Sequence, residues 1–142
     1  MAATHETIRS HGITRHSHQL VVAMCALVVT DLVGGLLAVA ADVNTWADAW
    51  WTEALLAAPI PMIVVQVVLT LVAVTSARWF SAVAAGLLAL ACLVSVVSGF
   101  FDGGIGNDEL TPALSAYQVF LLVVTALVGA LATLRAVESW RG

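Results

Sequence analysis

The stretch QLVVAMCALVVTDLVGGLLAVAA, residues 19–41, decides the fold class of this chain. A helix of about 23 residues is about 35 Å long, enough to cross a hydrocarbon core of roughly 30 Å. The run is too long for the apolar region of a cleavable signal peptide, and no clear small-residue cleavage site follows it. We therefore interpret it as a first membrane span.

Three further apolar runs of similar length lie near residues 52–74, 79–101 and 112–134. None alternates with a period of two, so all four are predicted to be helices. Hydrophobic residues make up 61% of the 142 residues and charged residues 10%, which is too apolar for a soluble domain of this size. The sequence predicts an all-α, four-transmembrane-helix up-down bundle, because short turns join antiparallel neighbours. This domain occupies residues 19–137, between a polar tail at 1–18 and a short tail at 138–142.

The basic residues predict the orientation of the bundle. With four spans, all five fall on one side of the membrane, and that side is the cytoplasm by the positive-inside rule. Both termini are therefore predicted to be cytoplasmic. The basic residues are Arg9, Arg15, Arg78, Arg135 and Arg141.

Several kinds of site have no matching pattern in the sequence. Cys25 and Cys92 have different predicted depths and are interpreted as unpaired thiols. The four histidines all belong to the N-terminal tail, and no metal-ligand spacing is present. No glycine-rich phosphate loop and no basic patch for nucleic acid are found. We predict no metal, no cofactor and no nucleic-acid partner.

Asp31 is the first candidate functional residue, because it lies in the middle of the first apolar run. A carboxylate at that depth costs on the order of 3 kcal/mol, so such residues face the interior of a bundle. Gly34, Gly35 and Ala38 share its helical face and leave room beside it. Two interpretations remain open, a functional carboxyl and a structural hydrogen bond between helices.

Other polar groups predict a pocket in the outer half of the bundle. Gln66 and Met62 lie on the second span, and Tyr117 and Gln118 lie on the fourth. Pro59 and Pro61 interrupt the second span, and the backbone groups that prolines free in a membrane helix usually mark a bend or a cavity. Ordinary hydrogen bonding between helices is the alternative interpretation of the two glutamines.

The outer boundary of the predicted bundle contributes carboxylates and aromatic side chains. Glu53 begins the second span and Asp102 ends the third. Solvated carboxylates and an ordinary aromatic belt would also explain these residues. An apolar pocket with a few convergent polar groups is nevertheless the default position of a ligand site. The aromatic candidates for its wall are Trp50, Trp51, Phe100 and Phe101.

The chain resembles the small bacterial membrane-bound terpene cyclases of actinomycetes, which act on prenylated indoles and related natural products. The resemblance covers about residues 19–134. It rests on overall size, four spans, Asp31, the segment 53–61 followed by Gln66, and the sequence SGFFDG at 98–103. It implies a protein of the bacterial inner membrane whose lipophilic substrate is taken up from the bilayer.

The resemblance also implies a reaction. Such enzymes protonate an epoxide or a terminal alkene, close rings through carbocations and return the last proton to a base, without a metal or cofactor. A carboxylic acid kept protonated by desolvation would start the reaction, and aromatic faces would stabilise cations. Asp31 is the implied acid, and Asp102 or Glu53 would complete the acid and base set.

Two other functions fit the sequence. A small proton-coupled multidrug-type transporter also has four short helices and an acidic residue in the first. Its typical members are shorter, have weaker charge bias and carry a glutamate where this chain has Asp31. A non-enzymatic membrane subunit or lipid-binding protein fits the composition equally well. The sequence does not specify the oligomeric state.

Overall fold

In the residues that it describes, the computed structural model contains four α-helices and one short 3-10 helix, Asp48–Trp50. It describes residues 15–51, 54–101 and 110–141. No strand is found in these ranges, so the all-α prediction is confirmed for the described part of the chain. The helices are α1 Arg15–Ala40, α2 Ile60–Thr75, α3 Arg78–Phe101 and α4 Pro112–Arg141.

The helix bounds differ from the predicted spans at three places. Helix α1 begins inside the predicted N-terminal tail, and α4 continues through most of the predicted C-terminal tail. Helix α2 has 16 residues and begins at Ile60 instead of residue 52. The reason is Pro59, which disfavours helical backbone at Ala58, while Pro61 is tolerated near a helix N-terminus.

Each helix packs against two neighbours, in the cyclic order α1, α2, α3, α4. The contact between α3 and α4 is the most extensive, and the contact between α1 and α2 is the smallest. Small residues allow the close approach of α3 to α4: a Cβ added at Gly129 would lie 2.9 Å from the Cβ of Cys92. The small contact between α1 and α2 leaves space that residues 54–59 enter.

Arginine side chains join neighbouring helices by hydrogen bonds at one end of the bundle. Arg78 donates from Nε to the Ser139 carbonyl and from Nη2 to the Trp140 carbonyl, both at 2.8 Å. Arg135 donates from Nε to the Ala73 carbonyl at 3.2 Å. These carbonyls belong to the last turns of α4 and α2. Carbonyl groups in the last turn of a helix have no hydrogen-bond partner within that helix. The arginines therefore pair with the negative ends of two helix dipoles.

The outer surface of the bundle is apolar, and polar side chains are buried among the apolar residues of its core. Large apolar side chains such as Val29, Leu71, Leu90 and Val123 point outward and are exposed. Several polar side chains are buried between the helices. Three helices, α1, α3 and α4, are long and apolar enough to cross a membrane. An outer surface of this kind suits lipid, because extended apolar patches are rare on soluble monomers. The buried polar side chains include those of Asp31, Gln66, Thr70, Ser81, Gln118, Thr125 and Ser139.

Candidate functional site

A cavity of about 690 Å³ lies between the four helices and residues 54–59. Its volume is within the range of about 300–1,000 Å³ that is usual for small-molecule sites. Most of its wall is aliphatic, and a few polar side chains interrupt it. The polar side chains on the wall are Asp31, Asn44, Gln66, Ser95, Ser98, Gln118 and Thr125.

Residues 54–59 form one wall of the cavity and are held there through their backbone. The Ala58 N–H donates to Oδ1 of Asp31 at 2.8 Å, and the Leu55 N–H donates to Oδ1 of Asn44 at 3.2 Å. The Leu56 carbonyl lies directly against Gly34, where an added Cβ would be only 1.8 Å from its oxygen. Side chains and a glycine of the first helix and its following turn thus position this non-helical segment.

Asp31 is buried, with 1% of its surface exposed, and it lies on the cavity wall. The bond from Ala58 is the one hydrogen bond found for its carboxyl group in the described ranges. No cation is paired with it there, since the ion pair found joins Arg135 to Glu138 at the opposite end. Asp31 therefore has a structural role, because it holds the backbone at Ala58. Its carboxyl group can still form further hydrogen bonds with a ligand.

Gln118 and Gln66 place two amide groups on the same cavity. Gln118 is 6% exposed, and its Nε2 lies 3.5 Å from the Leu55 carbonyl oxygen. Its Oε1 is buried without a partner in the described part of the chain. Gln66 is 3% exposed, and no hydrogen bond of its side chain is found among the described residues. A buried amide oxygen without a partner, such as Oε1 of Gln118, is unusual in native proteins and calls for an explanation.

The neighbouring hydroxyl groups are already hydrogen-bonded within their own helices. Thr125 donates to the Leu121 carbonyl at 2.9 Å, and Ser95 donates to the Ala91 carbonyl at 3.0 Å. Ser95 also approaches the sulfur of Met62, at 3.7 Å. Met62 lines the cavity, as does Gln66 one turn further along α2. Asp31 and the two glutamines are thus the cavity groups with most capacity left for a ligand.

Tyr117 lies behind the cavity wall. Its hydroxyl donates to the Thr30 carbonyl at 2.5 Å, and its ring lies against Gly34. This bond joins α4 to α1 one residue from Asp31. Tyr117 is therefore placed to fix the position of Asp31, and it does not line the cavity.

The predicted aromatic wall is not assembled around the cavity. Trp50 covers Gly35, where an added Cβ would lie 2.6 Å from its ring. Trp51, Phe100 and Phe101 are exposed, Phe101 by 82%. No aromatic side chain is among the described residues that line the cavity.

Two predicted carboxylates, Glu53 and Asp102, lie outside the described residues. Within the described ranges, no group of three or more His, Cys, Asp or Glu side chains could hold a metal ion.

Sequence reasoning did not identify Asn44 as a site residue. Asp42 has a φ of 56°, and the Val43 and Asn44 N–H groups both donate to the Ala38 carbonyl. This turn ends α1 and brings Asn44 back over the bundle. The available signal was the Asp-Val-Asn sequence after an apolar run, because Asp and Asn tolerate left-handed backbone and form such turns.

Comparison with known proteins gave no relative. No family model, no curated protein and no solved structure matches the chain.

Proposed function

We propose that this protein is an integral membrane terpene cyclase that acts on an indole-type or related lipophilic substrate. The observation that carries the proposal is the buried carboxyl group of Asp31 on the wall of an aliphatic cavity, with no paired cation in the described ranges. The chain crosses the inner membrane of a bacterium four times, with both termini in the cytoplasm. The apolar outer surface and the arginines at one end of the bundle support this topology.

Helix α2 is too short to cross a bilayer alone, since 16 residues extend about 24 Å. Residues 54–59 complete the crossing as non-helical backbone. Such backbone is tolerated at membrane depth only where protein groups satisfy it. Asp31 and Asn44 accept hydrogen bonds from Ala58 and Leu55 and supply this requirement.

Asp31 acts as the general acid of the reaction. Its carboxyl group transfers a proton to the epoxide oxygen or the terminal alkene carbon of a prenyl chain. The π electrons of the next double bond form the new carbon–carbon bond, and a base finally removes one proton. The product is an isomer of the substrate. Asp102 and Glu53 are candidates for the base, and so is the Asp31 carboxylate itself.

Oxygen and sulfur atoms on the cavity wall stabilise the cationic intermediates. The described wall has no aromatic face, but it includes Met62 and the amides of Gln66 and Gln118. The carboxylate formed at Asp31 by the proton transfer adds a negative charge close to the developing cation. Electrostatic stabilisation by prearranged groups in a dry site is generally a large contribution to catalysis.

The test is incubation of the protein in nanodiscs with prenylated indoles and their terminal epoxides. Chromatography with mass detection should show a cyclic product of unchanged mass. Asp31→Asn should abolish the product, because an amide cannot supply the proton, while its oxygen can still accept from Ala58. Asp48→Asn is the matched control, since Asp48 is only partly buried, lies outside the cavity wall and accepts a hydrogen bond from Thr45. Asp102→Asn and Glu53→Gln examine the proposed bases. Undiminished product from Asp31→Asn would contradict the assigned acid.

A proton-coupled transporter is the second candidate, because Asp31 on α1 also faces a cavity that all four helices line. It predicts proton-driven flux of a lipophilic compound and a dimer with paired acids. A non-enzymatic subunit predicts binding without turnover or flux. Flux measured in proteoliposomes separates the transporter from the cyclase and from the subunit.

A further inference from the structure

The side-chain amide of Gln118 has a partner at its nitrogen end and no partner at its oxygen end. Nε2 faces the Leu55 carbonyl at 3.5 Å. A carbonyl oxygen only accepts hydrogen bonds, so this long contact favours the amide orientation that places Nε2 towards Leu55 and leaves Oε1 at the other end. Oε1 is buried and has no partner in the described part of the chain. Leaving such an acceptor unpaired is costly.

No side chain on the described wall is positioned to satisfy this acceptor. The hydroxyl of Thr125, two turns further along α4, donates to the Leu121 carbonyl, and that of Ser95 donates to the Ala91 carbonyl. Asp31 accepts a hydrogen bond from Ala58. The cavity volume of about 690 Å³ leaves room for a molecule beside Gln118.

We infer that Gln118 is a specificity-determining residue that accepts a hydrogen bond from an O–H or N–H group at the polar end of a lipophilic ligand. The ligand class is an isoprenoid-like apolar chain with a terminal hydrogen-bond donor. The aliphatic wall receives the chain, and Oε1 of Gln118 receives the donor. This inference rests on the proposed function only in using the same cavity, and it requires binding but no turnover.

The cavity should discriminate between ligands with and without the hydrogen-bond donor, because a buried acceptor that pairs with a donor disfavours an analogue that lacks it. An ether in place of the hydroxyl leaves Oε1 unpaired and brings two acceptors together. We expect about a tenfold difference in Kd between two probes that differ only at this group.

The experiment compares farnesol with farnesyl methyl ether on the full chain in nanodiscs. Binding is followed by a scintillation proximity assay with tritium-labelled forms of both probes, with empty nanodiscs subtracted. The wild-type protein should bind farnesol about tenfold more tightly than the ether. Gln118→Leu should reduce this ratio to within about twofold, because the unpaired acceptor is gone. Leucine fills a similar volume without a polar group, and a thermal unfolding measurement verifies that the variant is folded.

Thr125→Val is the matched control. It removes a hydroxyl from the same helix and the same cavity, but that hydroxyl is already bonded to Leu121. The tenfold ratio should therefore persist in this variant. A ratio near one in the wild-type protein, a ratio that Gln118→Leu leaves unchanged, or binding of neither probe would overturn the inference. If the cyclase assay gives no product but the tenfold ratio of Kd values is found, the inference holds and the proposed function fails. If product forms but the ratio of Kd values is near one, the inference fails and the proposed function holds.

Discussion

At the scale of single residues, Gly34 determines how closely the chain after α1 can approach that helix. An added Cβ would lie 1.8 Å from the Leu56 carbonyl oxygen. This neighbour is backbone and cannot rotate away, so Gly34→Ala must displace residues 54–59. We expect a loss of about 2 kcal/mol or more in the free energy of unfolding, in the range of overpacking substitutions. Reversible unfolding in mixed micelles measures the change.

Gly86→Ala is the control for this prediction. Gly86 is also helical, but no atom lies within 4 Å of an added Cβ. Removing a helical glycine at an open position should leave stability unchanged or raise it by about 0.5–1 kcal/mol. Equal losses of stability in the two alanine variants would contradict the close contact between Gly34 and Leu56.

Asp31 should protect the Ala58 amide from hydrogen exchange. Asp31→Leu removes the acceptor at 2.8 Å and leaves this N–H unpaired, whereas Asp31→Asn keeps an oxygen in place. We expect Asp31→Leu to lower stability by about 1–3 kcal/mol and to speed exchange in the peptide that contains Ala58. Asp31→Asn should show little change in exchange. Exchange mass spectrometry in nanodiscs makes the comparison, and unchanged protection in Asp31→Leu would contradict the contact.

The sequence identified part of the cavity wall at this scale. Asp31, Gln66 and Gln118 were recognisable because polar residues in apolar spans face inward. Asn44 and the backbone of residues 54–58 could not be predicted in the same way. Their positions depend on the turn at Asp42 and on space beside Gly34, and neither property follows from hydropathy. Trp51, Phe100 and Phe101 are exposed and Trp50 packs on Gly35, so none of these four lines the cavity, because side-chain direction depends on the packing of the helices.

At the scale of the elements, α2 differs most from its prediction. The apolar run at residues 52–74 has the length of a full span, yet the helix starts at Ile60. Hydropathy does not distinguish a helical apolar residue from an extended one. Pro59 marks the boundary in the sequence, but hydropathy does not show the bonds to Asp31 and Asn44 that help residues 54–58 to remain non-helical beside α1.

Arg78 should stabilise the end of α4. It donates two hydrogen bonds of 2.8 Å to the Ser139 and Trp140 carbonyls. Arg78→Gln removes the charge at the negative end of the helix dipole and at least one of these bonds. We expect a loss of about 1–3 kcal/mol and faster amide exchange in the last turn of α4.

Arg141→Gln serves as the comparison for Arg78. It removes the same charge at an exposed position in the same turn, where electrostatic effects are worth well under about 1 kcal/mol. Greater destabilisation by Arg141→Gln than by Arg78→Gln would contradict the role assigned to Arg78.

At the scale of the whole molecule, the four helices and the apolar outer surface both follow from the long apolar runs of the sequence. Composition was sufficient to predict helices, because apolar runs of this length have few other stable forms in lipid. The pairing of the helices depends on local matches of small and large side chains, such as Gly129 with Cys92 and Gly99 with Leu122. Those matches could not be assigned from one sequence.

The proposed topology predicts the activity of reporter fusions. Alkaline phosphatase fused after Trp51 should be active, since the proposed topology places this position on the outer side. The same enzyme fused after Ala77 or at the C-terminus should be inactive, and fluorescent protein at the C-terminus should fluoresce. Expression in a bacterial host measures all four. Active phosphatase after Ala77 would contradict the orientation that the arginines indicate.

The most direct test of the central claim is photolabelling of the cavity with a diazirine analogue of farnesol in nanodiscs. The claim is that the space beside Asp31 and Gln118 holds a lipophilic molecule. Peptides that contain residues 54–66, 94–99 and 118–125 should be labelled, and excess farnesol should suppress this labelling by competition. Labelling confined to outward side chains such as Leu90 and Val123, with no suppression by farnesol, would contradict the claim.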